Sequence, residues 1–260
     1  MTGRDPSVRW LPAYLAALSG EGIVLAGHYN RNYEVSLAGQ KVLVRIPIFE
    51  SPAMDVRVLP ELIVMKVAEQ TGLPVPRVLG ACLDPSFAVH EFIEAEPLNE
   101  AFPCGTRLPP HIIEAIAQAQ VSLLGASMTS LESYLGSWPR GGESQAFYLR
   151  LLNETELVYR RHWMSHGWLF EALNIPDDPF ECLRLSAARL HPRSFGLLHG
   201  DLHRRNMLIS GVHLWIVDWE LALFGDPAYE VAVHLHKMYY RPDEERMYMR
   251  EVKRLLPSDY

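Results

Sequence analysis

The 260-residue sequence has little cysteine, no long apolar run and no excess of basic residues. Its cysteines, Cys82, Cys104 and Cys182, lie far apart and form no CxxC pair, so they suggest neither a disulfide framework nor a zinc site. No apolar stretch approaches the ~18 residues that a membrane-spanning helix needs. The formal net charge of -7 argues against a nucleic-acid-binding surface, which is usually basic.

These absences indicate where the protein works and what it does not bind. The amino terminus has no basic-then-apolar signal pattern, and isolated thiols are typical of a reducing compartment. We therefore expect a cytoplasmic protein with no nucleic-acid or membrane partner. Hydrophobic residues make up 48% of the chain, which is enough to bury a substantial core in one large domain or two lobes.

The apolar pattern changes along the chain from strand-like to helix-like. The first part predicts helices at 8–18 and 59–71 and strands at 23–26, 33–37, 42–46 and 87–93. The second part predicts helices at 109–136, 145–170, 179–191, 227–240 and 243–256, and a pair of strands at 207–209 and 213–217. The sequence therefore predicts an α+β fold with a β-rich lobe at 1–94, a helical lobe at 95–260 and a ligand site between them.

The most informative stretch, LLHGDLHRRNMLISGVHLWIVDWE, runs from Leu197 to Glu220. Asp201 and Asn206 precede the first predicted strand of this stretch, and Asp218 follows the second. A hairpin would bring Asn206 and Asp218 together, because its two open ends lie side by side. Amide and carboxylate oxygens suit Mg²⁺ that is shared with phosphate, and Asp201 then remains to accept a proton from an attacking hydroxyl.

This stretch resembles the catalytic and metal-binding loops of the aminoglycoside phosphotransferase and choline kinase family, in HGDLHRRN and LWIVDWE. The resemblance implies a protein-kinase-like fold, with an N-terminal antiparallel sheet lobe and a helical C-terminal lobe. It implies that Asp201 is the catalytic base and that Asn206 and Asp218 hold Mg²⁺. It also implies that Asp226, in FGDPAYEVA, braces the catalytic loop, although Asp before Pro is equally an ordinary helix cap.

Two other interpretations of the same loop need weighing. His199, Asp201 and His203 alternate as in some zinc hydrolase loops, but no further histidine cluster with ligand spacing follows. A packing role for His199 is therefore preferred.

Arg204 and Arg205 follow in the same loop. They either approach the γ-phosphate or an anionic group of the substrate, or they are solvated surface residues. We favour the solvated surface interpretation.

A kinase-like fold also requires a basic residue on the third strand, to contact phosphate and pair with a helix glutamate. The segment KVLVRIPI offers Lys41 and Arg45, and Arg45 lies deeper among apolar neighbours. A buried charge needs a partner, and Glu61 at the start of the next helix is well placed. Kinase families commonly have Lys here, so Arg45 is a departure that brings a planar, bidentate group.

The remaining nucleotide contacts are expected in short segments. The loop AGHYNRNY has one Gly rather than a Gly-rich run, and Asn30 in it either bonds phosphate or caps a turn. The resemblance implies that backbone groups of Glu91 and Ile93, in FAVHEFIEAEPL, contact the adenine. Leu208 and Val217 are candidates for the floor below the base or for plain core residues.

The sequence does not identify the acceptor, because its acidic residues are dispersed. The chain ends soon after Asp226, whereas relatives typically continue with further helices, so we expect a compact helical lobe, a truncated one or one that a protein partner completes. The prediction is an ATP- and Mg²⁺-dependent phosphotransferase acting on a hydroxyl of a small natural product or an aminoglycoside-like antibiotic. A peptide Ser/Thr kinase of a peptide-modification pathway and a nucleotide-binding pseudokinase remain the alternatives.

Overall fold

The computed structural model describes residues 6–25, 30–48, 58–70, 72–83, 86–124, 147–149, 151–153, 155–157, 160, 180–187, 189–190 and 196–256. Within these residues lie a five-stranded sheet, two smaller sheets and several helices, so the predicted α+β class is confirmed. Parts of the predicted helices, chiefly 125–136 and 161–170, and residues 26–29 of the loop AGHYNRNY lie outside the described residues.

The first part of the chain contains α1 (Pro6–Ser19), β1 (Ile23–Leu25), β2 (Asn30–Leu37), β3 (Gln40–Pro47), α2 (Val58–Gln70), β4 (Val78–Leu83) and β5 (Ser86–Glu91). The second part contains β6 (Glu96–Pro97), α3 (Leu98–Ala101), α4 (Pro110–Leu124), α5 (Phe180–Ala187), β7 (Gly196–Leu198), β8 (Met207–Ser210), β9 (His213–Ile216), β10 (Leu223–Gly225), α6 (Pro227–Met238) and α7 (Pro242–Leu255). Residues within 147–157 are also helical. The sequence prediction missed β4, β6, β7 and β10, because most of these strands are too short to show a period of two.

The five-stranded sheet has the order β1-β2-β3-β5-β4, and all its neighbouring strands are antiparallel. A two-residue turn, Ala38-Gly39, joins β2 to β3, and both residues have positive φ (51° and 80°). Such turns match the twist of the strands that they connect. Glycine adopts this conformation without strain, whereas Ala38 is the less common residue for it.

Helix α1 covers one face of this sheet. Trp10 and Ala13 pack there against Val44 and Val89, and the Trp10 indole donates a hydrogen bond to the Leu79 carbonyl at 2.9 Å. Since side chains alternate along a strand, the residues next to these valines, Arg45 on β3 and Ala88 on β5, face the opposite side of the sheet. That opposite face is covered by α2 and carries the polar side chains of the site.

The helical part has its own core, in which α4 packs against α7. The buried side chains of α4 recur every three or four residues, as an amphipathic helix requires: Ile112, Ile113, Ile116, Ala117, Gln120, Leu123 and Leu124. They meet Tyr248 and Val252 of α7, and the Tyr248 hydroxyl donates a hydrogen bond to the Gln120 side chain. None of the described helices combines the length and the apolar character that crossing a membrane requires.

The hairpin of β8 and β9 connects the two parts. Strand β6, which follows the sheet, pairs with β8 through Glu96 with Ile209 and Pro97 with Leu208. The backbone N–H of Ile216 donates to the carbonyl of Pro74 at 2.8 Å, which ties the hairpin to the segment after α2. The hairpin therefore lies where the five-stranded sheet and the helical part meet.

Candidate active site

The β8–β9 hairpin brings two of the predicted site residues to the same end, as expected. Met207 pairs with Ile216, and beyond this pair the N–H of Val217 donates to the carbonyl of Asn206 at 3.0 Å. Asp218 is the next residue, and its backbone is left-handed, with φ 68° and ψ 63°. Aspartate tolerates this conformation better than most residues, because its short polar side chain bonds locally.

A hydrogen bond orients the side chain of Asn206. Its Nδ2 donates to the carbonyl of Asp201 at 2.9 Å and lies 3.4 Å from the Asp201 carboxylate. Because a carbonyl oxygen only accepts hydrogen bonds, this contact sets which end of the amide faces the loop. The amide oxygen of Asn206 is thereby directed away from that carbonyl, toward other partners.

Asp201 lies between two basic side chains. Lys237 donates to Oδ1 of Asp201, and the Nε2 of His203 lies 3.4 Å from Oδ2. Partial burial alone would raise the pKa of Asp201, but His203 and Lys237 outweigh it and lower this pKa to about 2. Asp201 is therefore a carboxylate at neutral pH. The sequence analysis missed Lys237, which lies in α6 and belongs to no local motif.

His199 packs inside the catalytic loop, as preferred over the zinc interpretation. Its Nε2 contacts the Val217 carbonyl at 3.0 Å, and its Nδ1 accepts from the Asp201 N–H at 3.3 Å. Burial lowers the pKa of His199, so the ring is neutral and has one donor and one acceptor for these two bonds. Neither nitrogen is left to bind zinc.

Glu230, rather than Asp226, braces the loop. The N–H of Gly200 donates to the Glu230 carboxylate at 2.9 Å, and burial raises the pKa of Glu230 to about 7. Asp226 caps α6 instead, by accepting from the N–H of Ala228 at 2.8 Å, and also accepts from the Tyr148 hydroxyl. The role that the resemblance implied for Asp226 is thus taken by a residue one helical turn later.

Gly200 is expected to tolerate no side chain. Its φ is +78°, and a Cβ would lie 2.3 Å from the carbonyl oxygen of Leu221. Gly211, in the β8–β9 turn, also has a positive φ (+61°) but has open space around it, which makes it a matched control. We expect Gly211→Ala to cost about 1–2 kcal/mol in the free energy of unfolding. Gly200→Ala should cost about 3 kcal/mol or more, because displaced backbone adds to the strain. Urea unfolding measures both losses, and equal losses in the two variants would contradict the close contact predicted at Gly200.

The expectation that Arg204 is a solvated surface residue is wrong. Arg204 is buried, and its guanidinium donates to the carbonyls of Met238 at 3.1 Å, Phe102 at 2.9 Å and Pro103 at 3.4 Å. It is therefore neither a solvated residue nor a phosphate contact. It holds the catalytic loop against α3 and the end of α6, whereas Arg205 is exposed, as expected.

Arg45 is buried at the centre of an ionic cluster. Its Nη1 lies 3.2 Å from Glu61, and its Nη2 lies 3.0 Å from Asp218 and 3.7 Å from Glu220. The predicted pairing of Arg45 with Glu61 is present. Lys41, the alternative on this strand, is about half exposed and pairs with the partly buried Glu34 and the exposed Glu94.

The cluster contains more negative than positive charge. Burial, together with the neighbouring Asp218, raises the pKa of Glu220 to about 7, although Arg45 acts in the opposite direction. Burial likewise raises the pKa of Glu61 against the effect of Arg45. Asn30 joins this cluster, because its Nδ2 donates to Glu220 at 2.9 Å. This bond is neither the phosphate contact nor the turn cap that the sequence left open for Asn30.

The residues predicted to contact the base lie at the end of β5, in the segment that follows it and on the β8–β9 hairpin. The N–H of Glu91 donates to the Arg77 carbonyl at 2.9 Å, and Ile93 follows in the segment between β5 and β6, where its carbonyl accepts from Ala95 at 2.9 Å. Leu208 and Val217 are half-buried on the hairpin that carries Asn206. Val217 directly precedes Asp218 of the cluster, and Glu91 pairs with Val42 on β3, the strand that carries Arg45.

The fold fits the class of protein-kinase-like phosphotransferases: beside its antiparallel sheet lie a carboxylate held by two basic groups, an oriented amide at a hairpin end and a buried guanidinium. The chain belongs to the phosphotransferase enzyme family, whose family profile matches residues 23–260. It is accordingly an enzyme that transfers a phosphoryl group. A comparison with curated proteins found no match.

Solved structures share this fold. Choline kinase LicA from Streptococcus pneumoniae superposes with a TM-score of 0.61 at 15% identity, over 97% of this chain and 80% of that chain. Macrolide 2'-phosphotransferase MphH from Brachybacterium faecium gives 0.60 at 15% identity, over 95% and 83% of the two chains. Amicoumacin kinase in complex with AMP-PNP and Ca²⁺ gives 0.58 at 15% identity, over 95% and 76%. At these identities the likeness shows the fold alone.

Proposed function

We propose that the protein transfers the γ-phosphate of ATP to a hydroxyl group of a small natural product or antibiotic. The observation that carries this proposal is the carboxylate of Asp201, held by Lys237 and His203 next to the oriented amide of Asn206. The names of the similar structures support it, since they describe kinases of choline, a macrolide and amicoumacin, the last with a nucleotide analogue and a divalent ion.

Asp201 orients the acceptor hydroxyl and takes its proton. A pKa of about 2 makes this carboxylate a weak base, so proton transfer occurs late, when the bond to phosphorus is largely formed and the hydroxyl has become acidic. The main contribution of Asp201 is therefore to align the hydroxyl for in-line attack. Lys237 and His203 keep the carboxylate in place and ionised.

The site residues fit a divalent cation. The amide oxygen of Asn206 and the carboxylate of Asp218 are hard ligands, and the cluster around Arg45 contains surplus negative charge that a cation offsets. We assign Asn206 and Asp218 to Mg²⁺, which supplies neutralisation of phosphate charge when it is bound. The Nε–H of Arg45 is buried and has no hydrogen-bond partner among the described residues, so it suits a phosphate oxygen.

The rest of the nucleotide lies along the lobe connection in this proposal. Backbone groups of Glu91 and Ile93 contact the adenine, Leu208 and Val217 lie below it, and the segment of Asn30 covers the phosphates. Glu61 positions Arg45. We place the lobe boundary at residues 94–95, because β5 belongs to the five-stranded sheet and β6 pairs with β8. We also propose a cytoplasmic location, in keeping with the free thiol of Cys104.

Asp218→Ala is expected to weaken the binding of Mg²⁺–AMP-PNP by about tenfold or more. Loss of a residue that only hydrogen bonds to a metal ligand already lowers metal affinity by about tenfold, and loss of a ligand should lower it at least as much. Calorimetric titrations with and without Mg²⁺ measure this effect. The difference in AMP-PNP affinity between the two conditions should disappear in the variant. Asp243→Ala, on α7, is the control. Nucleotide affinity that is independent of Mg²⁺ in the unsubstituted protein would contradict the metal assignment.

The acceptor is tested by phosphate-transfer assays over hydroxylated antibiotics, amino alcohols and Ser/Thr peptides. Turnover with antibiotics or amino alcohols supports the proposal. Turnover with peptides alone would show that the acceptor is a peptide rather than a small molecule. Nucleotide binding with no turnover would favour a pseudokinase.

A further inference from the structure

His90 is a buried histidine that the functions assigned above do not use. It is 1% exposed, and neither of its ring nitrogens has a hydrogen-bond partner within the described residues. Buried polar groups are nearly always paired, so an unpaired imidazole requires an explanation. One common explanation is that the partner belongs to a ligand.

The position of His90 in the sheet places it on the face of Arg45. In the pairing of β3 with β5, Arg45 is opposite Ala88 and Leu43 is opposite His90. Ala88 packs against Leu62 of α2, whereas the alternate residues of β5 pack toward α1. Because side chains alternate along a strand, His90 shares the face of Ala88 and Arg45.

This face runs from the ionic cluster to the lobe connection. Arg45 lies at the cluster with Asp218, where the phosphates belong in the proposed function. His90 lies two residues further along β5 than Ala88 and is followed directly by Glu91 and the connection. A nucleotide whose phosphates lie at Arg45 and whose base lies at the connection therefore brings the edge of its base toward His90.

The imidazole of His90 is neutral at physiological pH. Burial, reinforced by the positive charge of Arg45, lowers the pKa of His90 to about 3. A neutral imidazole has one N–H donor and one acceptor nitrogen, and the two exchange roles between its tautomers. It can therefore accept from the 6-amino group of adenine or donate to the 6-oxo group of guanine.

We propose that His90 is a specificity-determining residue that hydrogen bonds the substituent at the six position of the purine base. This inference rests on the proposed function, since it needs a nucleotide in the cleft. It extends that function, because a residue that serves both an amino and an oxo group makes ATP and GTP comparable phosphate donors. We expect their KM values to lie within about tenfold of each other, as one neutral hydrogen bond is worth no more than that.

The test combines changes in the protein with changes in the nucleotide. Calorimetry in Mg²⁺ measures the affinities for ATP and for purine riboside triphosphate, which lacks the six substituent, in the absence of acceptor. The ratio of these affinities should fall about fivefold in His90→Leu relative to the unsubstituted protein. His90→Gln, which keeps a donor and an acceptor, should retain most of the ratio. His213→Leu, at an exposed histidine that begins β9, is the control.

The outcomes separate this inference from the function on which it rests. An unchanged affinity ratio in His90→Leu, with ATP still bound, would overturn the role of His90 and leave the phosphotransferase proposal intact. The nucleotide-free His90→Leu protein should melt at a higher temperature, because an unpaired buried polar group has been removed. A lower melting temperature would overturn the premise that His90 has no partner. Failure of the unsubstituted protein to bind any nucleotide would overturn both proposals.

Discussion

Asp201→Asn is expected to lower kcat by about 10²–10⁴-fold, the usual contribution of a positioned acid–base group. Nucleotide affinity should remain nearly unchanged, because Asp201 interacts with the acceptor hydroxyl and with the transition state rather than with bound nucleotide. Asparagine keeps the shape of the side chain and accepts from Lys237, but it accepts no proton. Steady-state kinetics with a hydroxylated acceptor and calorimetry with AMP-PNP measure the two effects separately.

The matched control for this variant is Asp243→Asn. Asp243 pairs with Arg107 at the start of α7, away from the catalytic loop, so kcat should be unaffected. Losses of affinity and of rate by the same factor in Asp201→Asn would show that Asp201 acts in nucleotide binding and would contradict its assignment as the base.

Arg45→Met is expected to lower the free energy of unfolding by about 3–5 kcal/mol, the usual effect of removing one partner of a buried ion pair. The change leaves the carboxylates of Glu61, Asp218 and Glu220 together without their cation. Even with Arg45 present, Glu220 has its pKa raised to about 7. Without Arg45, these carboxylates should take up protons more readily still.

The pH dependence of this loss has a definite sign. A carboxyl group whose pKa is higher in the folded state than in the unfolded state stabilises the protein at low pH, and this stability is lost as pH rises through the folded-state value. The loss of unfolding free energy in Arg45→Met, relative to the unsubstituted protein, should therefore be larger at pH 8 than at pH 5. Urea unfolding at both pH values measures it.

Two companion variants identify the cause of the loss. Arg45→Lys keeps the charge but not the planar fork, so it should be less destabilising than Arg45→Met. Lys41→Met removes a half-exposed charge from the same strand and should change the stability by no more than about 1 kcal/mol. A deficit of Arg45→Met that did not vary with pH would argue against unpaired carboxylates as its cause.

Local patterns predicted the parts of the site that lie close together in the chain. The spacing of Asp201, Asn206 and Asp218 indicated a loop and a hairpin, and the structure places Asn206 and Asp218 at one end of that hairpin. Strand alternation and burial also selected Arg45 over Lys41. These predictions succeeded because a hairpin and an alternating strand follow from short-range steric rules.

The groups that support the site were not predictable in this way. Arg204 bonds to carbonyls 101 and 102 residues earlier in the chain, and Lys237 reaches Asp201 across 36 residues. Glu230 rather than Asp226 contacts the loop because of how α6 lies against it. Contacts between distant segments depend on how helices and strands pack, and no local pattern records that packing.

The amino-acid pattern was thus sufficient for the α+β class, for the positions of most helices and strands, and for the approach of Asn206 to Asp218 at one end of a hairpin. Only the folded chain shows that Lys237 and His203 hold Asp201 as an ionised carboxylate. It also shows that Asp218 and Glu220 join the predicted Glu61 around Arg45, and that His90 has no hydrogen-bond partner among the described residues. The reason is physical: residue type and spacing define the local geometry, whereas burial and the approach of distant charges define the electrostatics.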